Sequence, residues 1–218
     1  MISIVLFREK PATPPTRAHA TVPGVLTEEI KVCLRDKNLI YLVITFGIVL
    51  GIMTTYGTII GIICAEYGYT DDQASLFGAV FIVGGIIGSG VFGGIVEVKK
   101  NYKVVTCVIC VLTAATPVPL LFSMKAINAT ATAFCCSIVG FASISILPVG
   151  IDYGVELTYP IPESVSSALL MSCGQVFGIV FTIIASLLIS RKDNAGIIIG
   201  QVMMICAATC AAVLSFFI

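Results

Sequence analysis

This sequence predicts an all-α integral membrane protein with six transmembrane helices. Hydrophobic residues make up 58% of the 218 residues and charged residues only 11%, well under the roughly 25% charged share of an ordinary soluble domain. A bilayer core about 30 Å thick is crossed by roughly 20 apolar residues in an α-helix. Six apolar runs reach that length, at positions 39–64, 74–96, 104–123, 126–150, 164–189 and 195–218. Little of the chain is left for a soluble domain.

Residues 1–38 are predicted to form a helix stub followed by a cytoplasmic, proline-containing linker. Residues 1–7 are apolar and three charged residues follow them at once, which reverses the order found in a secretory signal peptide. The stretch 10–15 breaks any helix, because proline lacks a backbone N–H and fixes φ. The transmembrane domain is therefore expected at 39–218. This beginning, and an end at Ile218 without a tail, suggest a truncated product or a fragment.

The distribution of lysine and arginine predicts that both termini face the cytoplasm. Nine basic residues lie before the first span or after the second: Arg8, Lys10, Arg17, Lys31, Arg35, Lys37, Lys99, Lys100 and Lys103. Three lie on the other side: Lys125, Arg191 and Lys192. The positive-inside rule places the richer side in the cytoplasm. The outer side then carries the sequon that starts at Asn128, which is either glycosylated or a chance match. The plasma membrane is favoured over an internal membrane.

The composition argues against several other classes of protein. The formal net charge is zero and the sequence shows no basic patch with aromatic residues, so no nucleic-acid partner is expected. The single histidine, His19, lies in the linker without a nucleophile near it, so no enzyme activity is expected. Cys107 and Cys110 have the spacing of a metal pair but lack histidine or acidic companions, and cysteine in an apolar span behaves as a small hydrophobic residue. We expect neither a metal nor a cofactor.

The second span is rich in glycine and ends in a cluster of charges. Its small-xxx-small pairs, which allow close helix approach, are Gly84 with Gly88 and Gly90 with Gly94. Such spacing serves static bundles as well as moving ones. At the cytoplasmic end, Gly93 is followed by Glu97 and then by Lys99 and Lys100. These charges could pair across loops and separate when the helix moves, which predicts a gating role for the four residues.

The end of the fourth span combines helix breakers with two carboxylates. Pro160 and Pro162 are expected to mark the turn before the fifth span. Three residues are expected to loosen the end of the fourth span: Pro148, Gly150 and Gly154. In a helix, Asp152 and Glu156 are one turn apart and share a face. Either they are simply solvated at the interface, or they take part in the pathway or its gate.

Two polar residues are candidates for the interior of the bundle. Gln175 lies 12 residues after Glu163, hence roughly 18 Å into the membrane at the α-helical rise. Its carboxamide there needs a partner, either a substrate hydroxyl or another helix. Tyr56 lies in the first span among glycines and threonines that could let the helix bend, and its ring could face a cation. Taken alone, Tyr56 is most simply a packing residue.

The end of the second span resembles a signature of the major facilitator superfamily. That signature has a glycine, three residues, an aspartate and then basic residues, and Gly93, Glu97, Lys99 and Lys100 fit it. Glu97 stands where aspartate is usual, and Val98 where a basic residue is usual. The resemblance implies that the six spans are helices seven to twelve, the C-terminal half of a twelve-helix fold.

A more specific resemblance covers the fifth span and the segment before it. The matching elements are Glu156-Leu157-Thr158-Tyr159-Pro160, Ser166-Ser167-Ala168-Leu169-Leu170 and Gln175-Val176-Phe177-Gly178. They are similar to the feline leukaemia virus subgroup C receptor-related family, whose usual glycine is replaced here by Ala168. The resemblance implies transport of choline-like cations, with Tyr56 and Gln175 at positions that line the central cavity and bind substrate. Haem export is the same-class alternative that the family suggests, although the only histidine lies outside the spans.

The expected function is therefore solute transport by alternating access, in which two six-helix halves rock about a central site. The expected partners are the lipid bilayer, a choline-like cation or haem, and an N-terminal six-helix half that supplies the other cavity wall. An alternative of another class is a non-transporting half that acts only by association with another membrane protein.

Overall fold

A computed structural model describes residues 35–189 and 194–218; the predicted helix stub, most of the linker and His19 lie outside these ranges. The described residues form helices throughout. They are α1 (Lys37–Glu66), α2 (Asp71–Lys99), α3 (Tyr102–Ala115), α4 (Pro117–Lys125), α5 (Ala129–Ile144), α6 (Ile146–Thr158), α7 (Glu163–Ile189) and α8 (Asn194–Ser215). Six spans are long and apolar enough to cross a membrane, because α3 with α4 and α5 with α6 each make one span. The predicted all-α, six-span fold is confirmed.

The first two helices begin at side chains that satisfy free backbone N–H groups. The Asp36 carboxylate accepts a hydrogen bond from the Asn38 N–H at 2.9 Å. Thr70 and Gln73 form a capping box, in which each side chain bonds the backbone N–H of the other residue. Such caps satisfy donors that have no partner within the helix. Both helices therefore begin two to three residues before the apolar runs from which the spans were predicted.

Two of the six spans are broken, and proline explains both breaks. The third span is interrupted at Thr116, just before Pro117 starts α4. The fourth is interrupted at Ser145, three residues before Pro148, which cannot donate to the carbonyl of Ile144. The Ser89 hydroxyl of α2 donates to that carbonyl at 3.4 Å instead. The break is thus bridged by a neighbouring helix.

The expected loosening at the end of the fourth span is corrected by the structure. The helix continues without a break to Thr158, and the interruption lies earlier, at Ser145. Gly150 and Gly154 are packing positions: their Cα atoms face the Phe46 ring of α1 and the Leu170 side chain of α7. A larger residue at either place would collide with those side chains. The expected turn at the two later prolines is confirmed, since it separates α6 from α7.

Two helix pairs pack with their backbones in close approach. Between α2 and α5, a Cβ added to Gly84 would lie 2.7 Å from Oγ of Ser137, and Gly140 faces the Phe81 backbone. Between α1 and α7, a Cβ on Gly51 would lie 3.0 Å from the backbone nitrogen of Gly178. Only glycine allows these distances. The two crossings hold together the four helices that carry the candidate site.

The predicted glycine pairs of α2 have different roles. Gly84 and Gly88 both face α5 at close range, whereas Gly90 and Gly94 have no side chain or other helix within 4 Å in the described part of the chain. Neighbouring apolar side chains on this outer face, such as Ile86, are largely exposed. The first pair is a packing contact inside this bundle. The second lies on a surface that lipid or another transmembrane segment must cover.

Candidate substrate-binding site

The polar turn of α1 around Tyr56 is built without disturbing the helix. Thr54 and Thr55 each donate a hydrogen bond to the carbonyl of Gly51, at 3.0 and 2.8 Å. Thr55 also bonds the Thr182 hydroxyl of α7 at 3.1 Å. These hydroxyls therefore find partners inside the membrane, where unpaired polar groups are costly. The helix runs unbroken from Lys37 to Glu66 through the glycines and threonines that could let it bend.

Tyr56 lines two separate spaces within the bundle. One is a cleft of about 250 Å³ between α1 and α2, lined by Met53, Thr54, Tyr56, Gly57, Ile60, Gly78, Phe81, Ile82 and Ile144. The other is a gap next to α8 that is too narrow for a water molecule. Tyr56 is only 2% exposed, and its hydroxyl has no hydrogen-bond partner among the described residues.

The cleft suits a small cation better than a large or anionic ligand. Its volume falls slightly below the roughly 300–1,000 Å³ of sites for drug-sized ligands, and its walls are apolar apart from Thr54 and the Tyr56 phenol. It carries no basic side chain that would attract an anion. An aromatic ring in a desolvated wall stabilises a bound cation by about 2 kcal/mol or more. Gly57 and Ile82 are exposed at its edge, which gives the cleft an opening.

Gln175 lies on a different surface from Tyr56. It is exposed on α7, next to the exposed Val176, whereas its neighbours Gly174 and Gly178 are buried against α1. In the described part of the chain, Gln175 lines neither of the two spaces beside Tyr56. The structure thus gives a physical reason for the glycines around Gln175 and leaves its carboxamide on a face open to a further partner.

The predicted gating residues gather near one end of the bundle. Gly93 and Glu97 lie in the last two turns of α2, which ends at Lys99, and Lys100 caps the helix in the left-handed region with φ 49°. Glu97 is exposed, and Gly93 has open space around it. These residues lie outside the close α2–α5 contact described above.

The carboxylates at this end lie close together. Asp152 and Glu156 are one turn apart on α6, and both are exposed. Glu97 of α2 and Glu163 at the start of α7 are near enough to Asp152 for their charges to repel it. Within the described residues no ion pair joins Glu97 or Asp152 to Lys99. Three helix ends therefore converge on a negatively charged patch.

At the opposite end, the predicted glycosylation site caps a helix. The Asn128 side chain accepts a hydrogen bond from the Ala131 N–H at 3.3 Å and starts α5, and Asn128 is exposed. Close by, the Tyr69 and Thr132 hydroxyls bond at 3.0 Å, which ties the α1–α2 loop to α5. Partial burial raises the pKa of Tyr67 in this loop, and Tyr69 adds to the effect. Glycosylation of Asn128 stays a prediction.

Two interior features were not predicted from the sequence. Thr182 joins α7 to α1, and Gln201 of α8 is 2% exposed with its Oε1 atom unpartnered among the described residues. A polar residue in an apolar span is itself a signal, so both positions could have been marked as interior. Thr182 bonds Thr55, and the amide nitrogen of Gln201 bonds Met124. Neither partner could be predicted from spacing, because each lies on a helix distant in sequence.

The fold is a glycine-crossed bundle of six spans with a desolvated cleft beside α1, the architecture of a polytopic membrane protein. A family model described as the Major Facilitator Superfamily matches residues 1–157, and the chain belongs to this superfamily. Its members are transporters and not enzymes. The sequence-based assignment to this superfamily is therefore confirmed, and the six spans form a half of the fold.

Relatives narrow the class further. The human "Choline/ethanolamine transporter FLVCR2" is 29% identical over 225 residues, which cover 100% of this chain and 42% of the relative. "Choline/ethanolamine transporter FLVCR1" of Felis catus is 29% identical over 189 residues, 84% of this chain and 34% of the relative. "Solute carrier family 49 member A3" of Xenopus tropicalis is 31% identical over 178 residues, 81% and 37% respectively. The chain spans less than half the length of these relatives.

Proposed function

We propose that this chain forms one half of a facilitator that carries a small organic cation of the choline or ethanolamine type by alternating access. The observation that supports it most is the buried Tyr56 ring in the wall of an apolar, cation-sized cleft. The names of the relatives point to the same substrate class. In this proposal the Tyr56 ring attracts the ammonium group, and Gln175 bonds the hydroxyl at the other end of the substrate.

One substrate molecule touches both residues only after a rearrangement. Tyr56 faces the α1–α2 cleft, while Gln175 faces the open side of α7. The α1–α7 crossing at Gly51 and Gly178 is tight, so these two helices move together, and the rearrangement must come from the Tyr56 and Gln175 side chains. Alternating access, in which each half moves against the other around a central site, changes what these side chains face. The cleft then opens by motion of α1 and α7 relative to α2.

The gate in this proposal is the acidic patch at the helix ends. Glu97 and Glu163 both repel Asp152 in this conformation, and an arrangement that brings Lys99 or Lys100 against them gains charge pairing. A Cβ at Gly93 would meet no atom of the described residues within 4 Å, so this turn leaves room for the end of α2 to move. Glu156, one turn beyond Asp152, extends the patch toward the same end.

The proposed orientation of the chain follows the positive-inside rule. We place both termini in the cytoplasm, with the acidic patch on the cytoplasmic side and Asn128 on the outer side, because nine of twelve basic residues lie on one side. We place the protein in the plasma membrane. If glycosidase treatment lowers the mass of the protein and the Asn128→Gln variant shows no such change, the result supports this orientation. If glycosidase leaves the mass unchanged, the distribution of basic residues is the only support for the orientation.

A second candidate function is supported by the outer face of α2. Gly90 and Gly94 are open there, amid exposed apolar side chains such as Ile86. Small residues on an uncovered transmembrane face favour association with another helix. In this alternative the chain binds a second membrane protein and transports nothing by itself.

The test measures uptake of radiolabelled choline by cells that express one of two proteins. One is this chain alone. The other is a fusion of this chain with the part of the human relative that does not align with it, which supplies further spans. Tyr56→Ala and Gln175→Ala should each abolish uptake by the fusion at unchanged surface expression. Tyr41→Ala and Val176→Ala, which alter a tyrosine and a neighbour on the same two helices, should retain it. A fusion that reaches the surface and takes up no choline would refute the substrate and leave the association role.

A further inference from the structure

Two buried side chains, each with an oxygen that has no hydrogen-bond partner among the described residues, line the same gap. Tyr56 of α1 and Gln201 of α8 are each 2% exposed, and both line the narrow gap formed with Ile59, Ile63, Ile189, Ile197, Gly200 and Met204. In the described part of the chain, the Tyr56 hydroxyl and Oε1 of Gln201 have no hydrogen-bond partner. The other unpartnered buried side-chain atoms are threonine hydroxyls, and none of them lines this gap.

The two groups are chemically complementary. The amide nitrogen of Gln201 donates to the Met124 sulfur at 3.5 Å, so its remaining free atom is an acceptor. A phenol that lacks a partner supplies a donor. The gap is too narrow for a water molecule, which excludes a bridging solvent molecule in this conformation. Each group can therefore be satisfied by the other in this apolar region.

We propose that Gln201 is a positioning residue for Tyr56: in one conformation of the transport cycle the Tyr56 hydroxyl donates a hydrogen bond to Oε1 of Gln201. The bond anchors the far end of the ring in the gap next to α8 and presents the ring to the α1–α2 cleft on its other side. Breaking the bond releases the ring. Donation of the phenolic proton also enriches the ring in electrons, which strengthens its attraction for a cation. This inference rests on the proposed role of Tyr56 in binding a cation.

The transport test uses the fusion described above and the variants Gln201→Leu, Tyr56→Phe and their double. Tyr56→Phe keeps the ring and removes only the hydroxyl. Each single variant should raise the KM for choline roughly three- to tenfold, the range of one hydrogen bond within a membrane, with the maximal rate per surface molecule unchanged. Because both remove the same bond, the double variant should resemble the single ones. Thr209→Val, an exposed hydroxyl of α8 bonded within its own helix, should leave KM unchanged.

Some outcomes separate this inference from the proposed function. If Tyr56→Ala abolishes uptake while Tyr56→Phe and Gln201→Leu match the unmodified protein, the cation site stands and the positioning role is refuted. If the effects of the two single variants multiply in the double, they act independently and the bond is refuted. If the fusion takes up no choline, the proposed function fails, and the bond is decided by thermal unfolding of the purified chain. Equal single and double shifts in Tm then support the bond, and additive shifts overturn it.

Discussion

A methyl group added at Gly140 should weaken the contact between α2 and α5. The new Cβ would lie 2.7 Å from the carbonyl carbon of Phe81, and closer still to its oxygen, whereas ordinary contact begins near 3.4 Å. Backbone atoms cannot turn aside as a side-chain rotamer can. The two helices must therefore separate by at least about 0.7 Å at the crossing, which loosens their contacts on either side. Gly90→Ala is the matched control, because Gly90 has open space around it on α2.

The size of the effect follows from two opposing terms. Overpacking costs about 1–3 kcal/mol, and rigid backbone on the other side of the contact places Gly140→Ala in the upper part of that range. Alanine regains up to about 1 kcal/mol of helix propensity over glycine. The net loss is then about 1–2 kcal/mol, or about 2–8 °C in Tm for a chain of this length. Gly90→Ala has only the favourable term and should raise Tm slightly or leave it unchanged.

Thiol-reactive dye fluorescence during heating of the detergent-solubilised chain measures this difference. Cys136 lies one turn before Gly140 on α5 and is 1% exposed. Its slow labelling, which follows the prompt labelling of the exposed Cys206 and Cys210, reports on separation of the helices. Its labelling rate below Tm should rise in Gly140→Ala and stay unchanged in Gly90→Ala. A Gly140→Ala protein whose Tm and labelling rate equal those of the unmodified chain would refute the close backbone contact from which the loss was worked out.

Two other changes test contacts at opposite ends of the bundle. Thr182→Val removes the hydrogen-bond partner of Thr55 and should lower the free energy of unfolding by about 0.6–1.7 kcal/mol, the range for hydrogen bonds between membrane helices. In the same dye assay, the control Thr209→Val should show no comparable loss. Equal losses in the two variants would contradict a contribution from the interhelix bond. Glu97→Gln removes one charge that repels Asp152 and should raise Tm by a small amount in low salt. Added salt should reduce that gain because it screens exposed charges; a gain that persists in high salt would point to a cause other than repulsion.

Hydropathy predicted the spans well because membrane insertion depends on length and apolar content. The predicted turn at Pro160 and Pro162 also matches, since proline limits the backbone locally. The break at Ser145 was misplaced because its cause, the donor missing at Pro148, acts on a carbonyl one turn earlier. Pro117 carried the same signal for the third span. Glycine in a helix was ambiguous: Gly150 looked like a loose point, but it is a place where another side chain enters.

The candidate site was predicted only as separate residues. Tyr56 and Gln175 stand out as polar residues in apolar spans. The resemblance of the chain to a transporter family indicated that both bind substrate. Which surface each occupies depends on how α1 is rotated between α2, α7 and α8. That rotation is set by Gly51 and Gly178, which are far apart in sequence. The acceptor at Gln201 is a product of the same packing and has no local signature.

The hydrogen bond from Ser89 to the carbonyl of Ile144 has a consequence for biogenesis. A helix broken in the fourth span carries a bare carbonyl, which is costly to release into hydrocarbon. Ser89 lies in the second span and so leaves the ribosome before Ile144 does. The donating hydroxyl of Ser89 is already in the bilayer when the broken helix arrives. The order of synthesis therefore supplies the donor before the carbonyl that needs it.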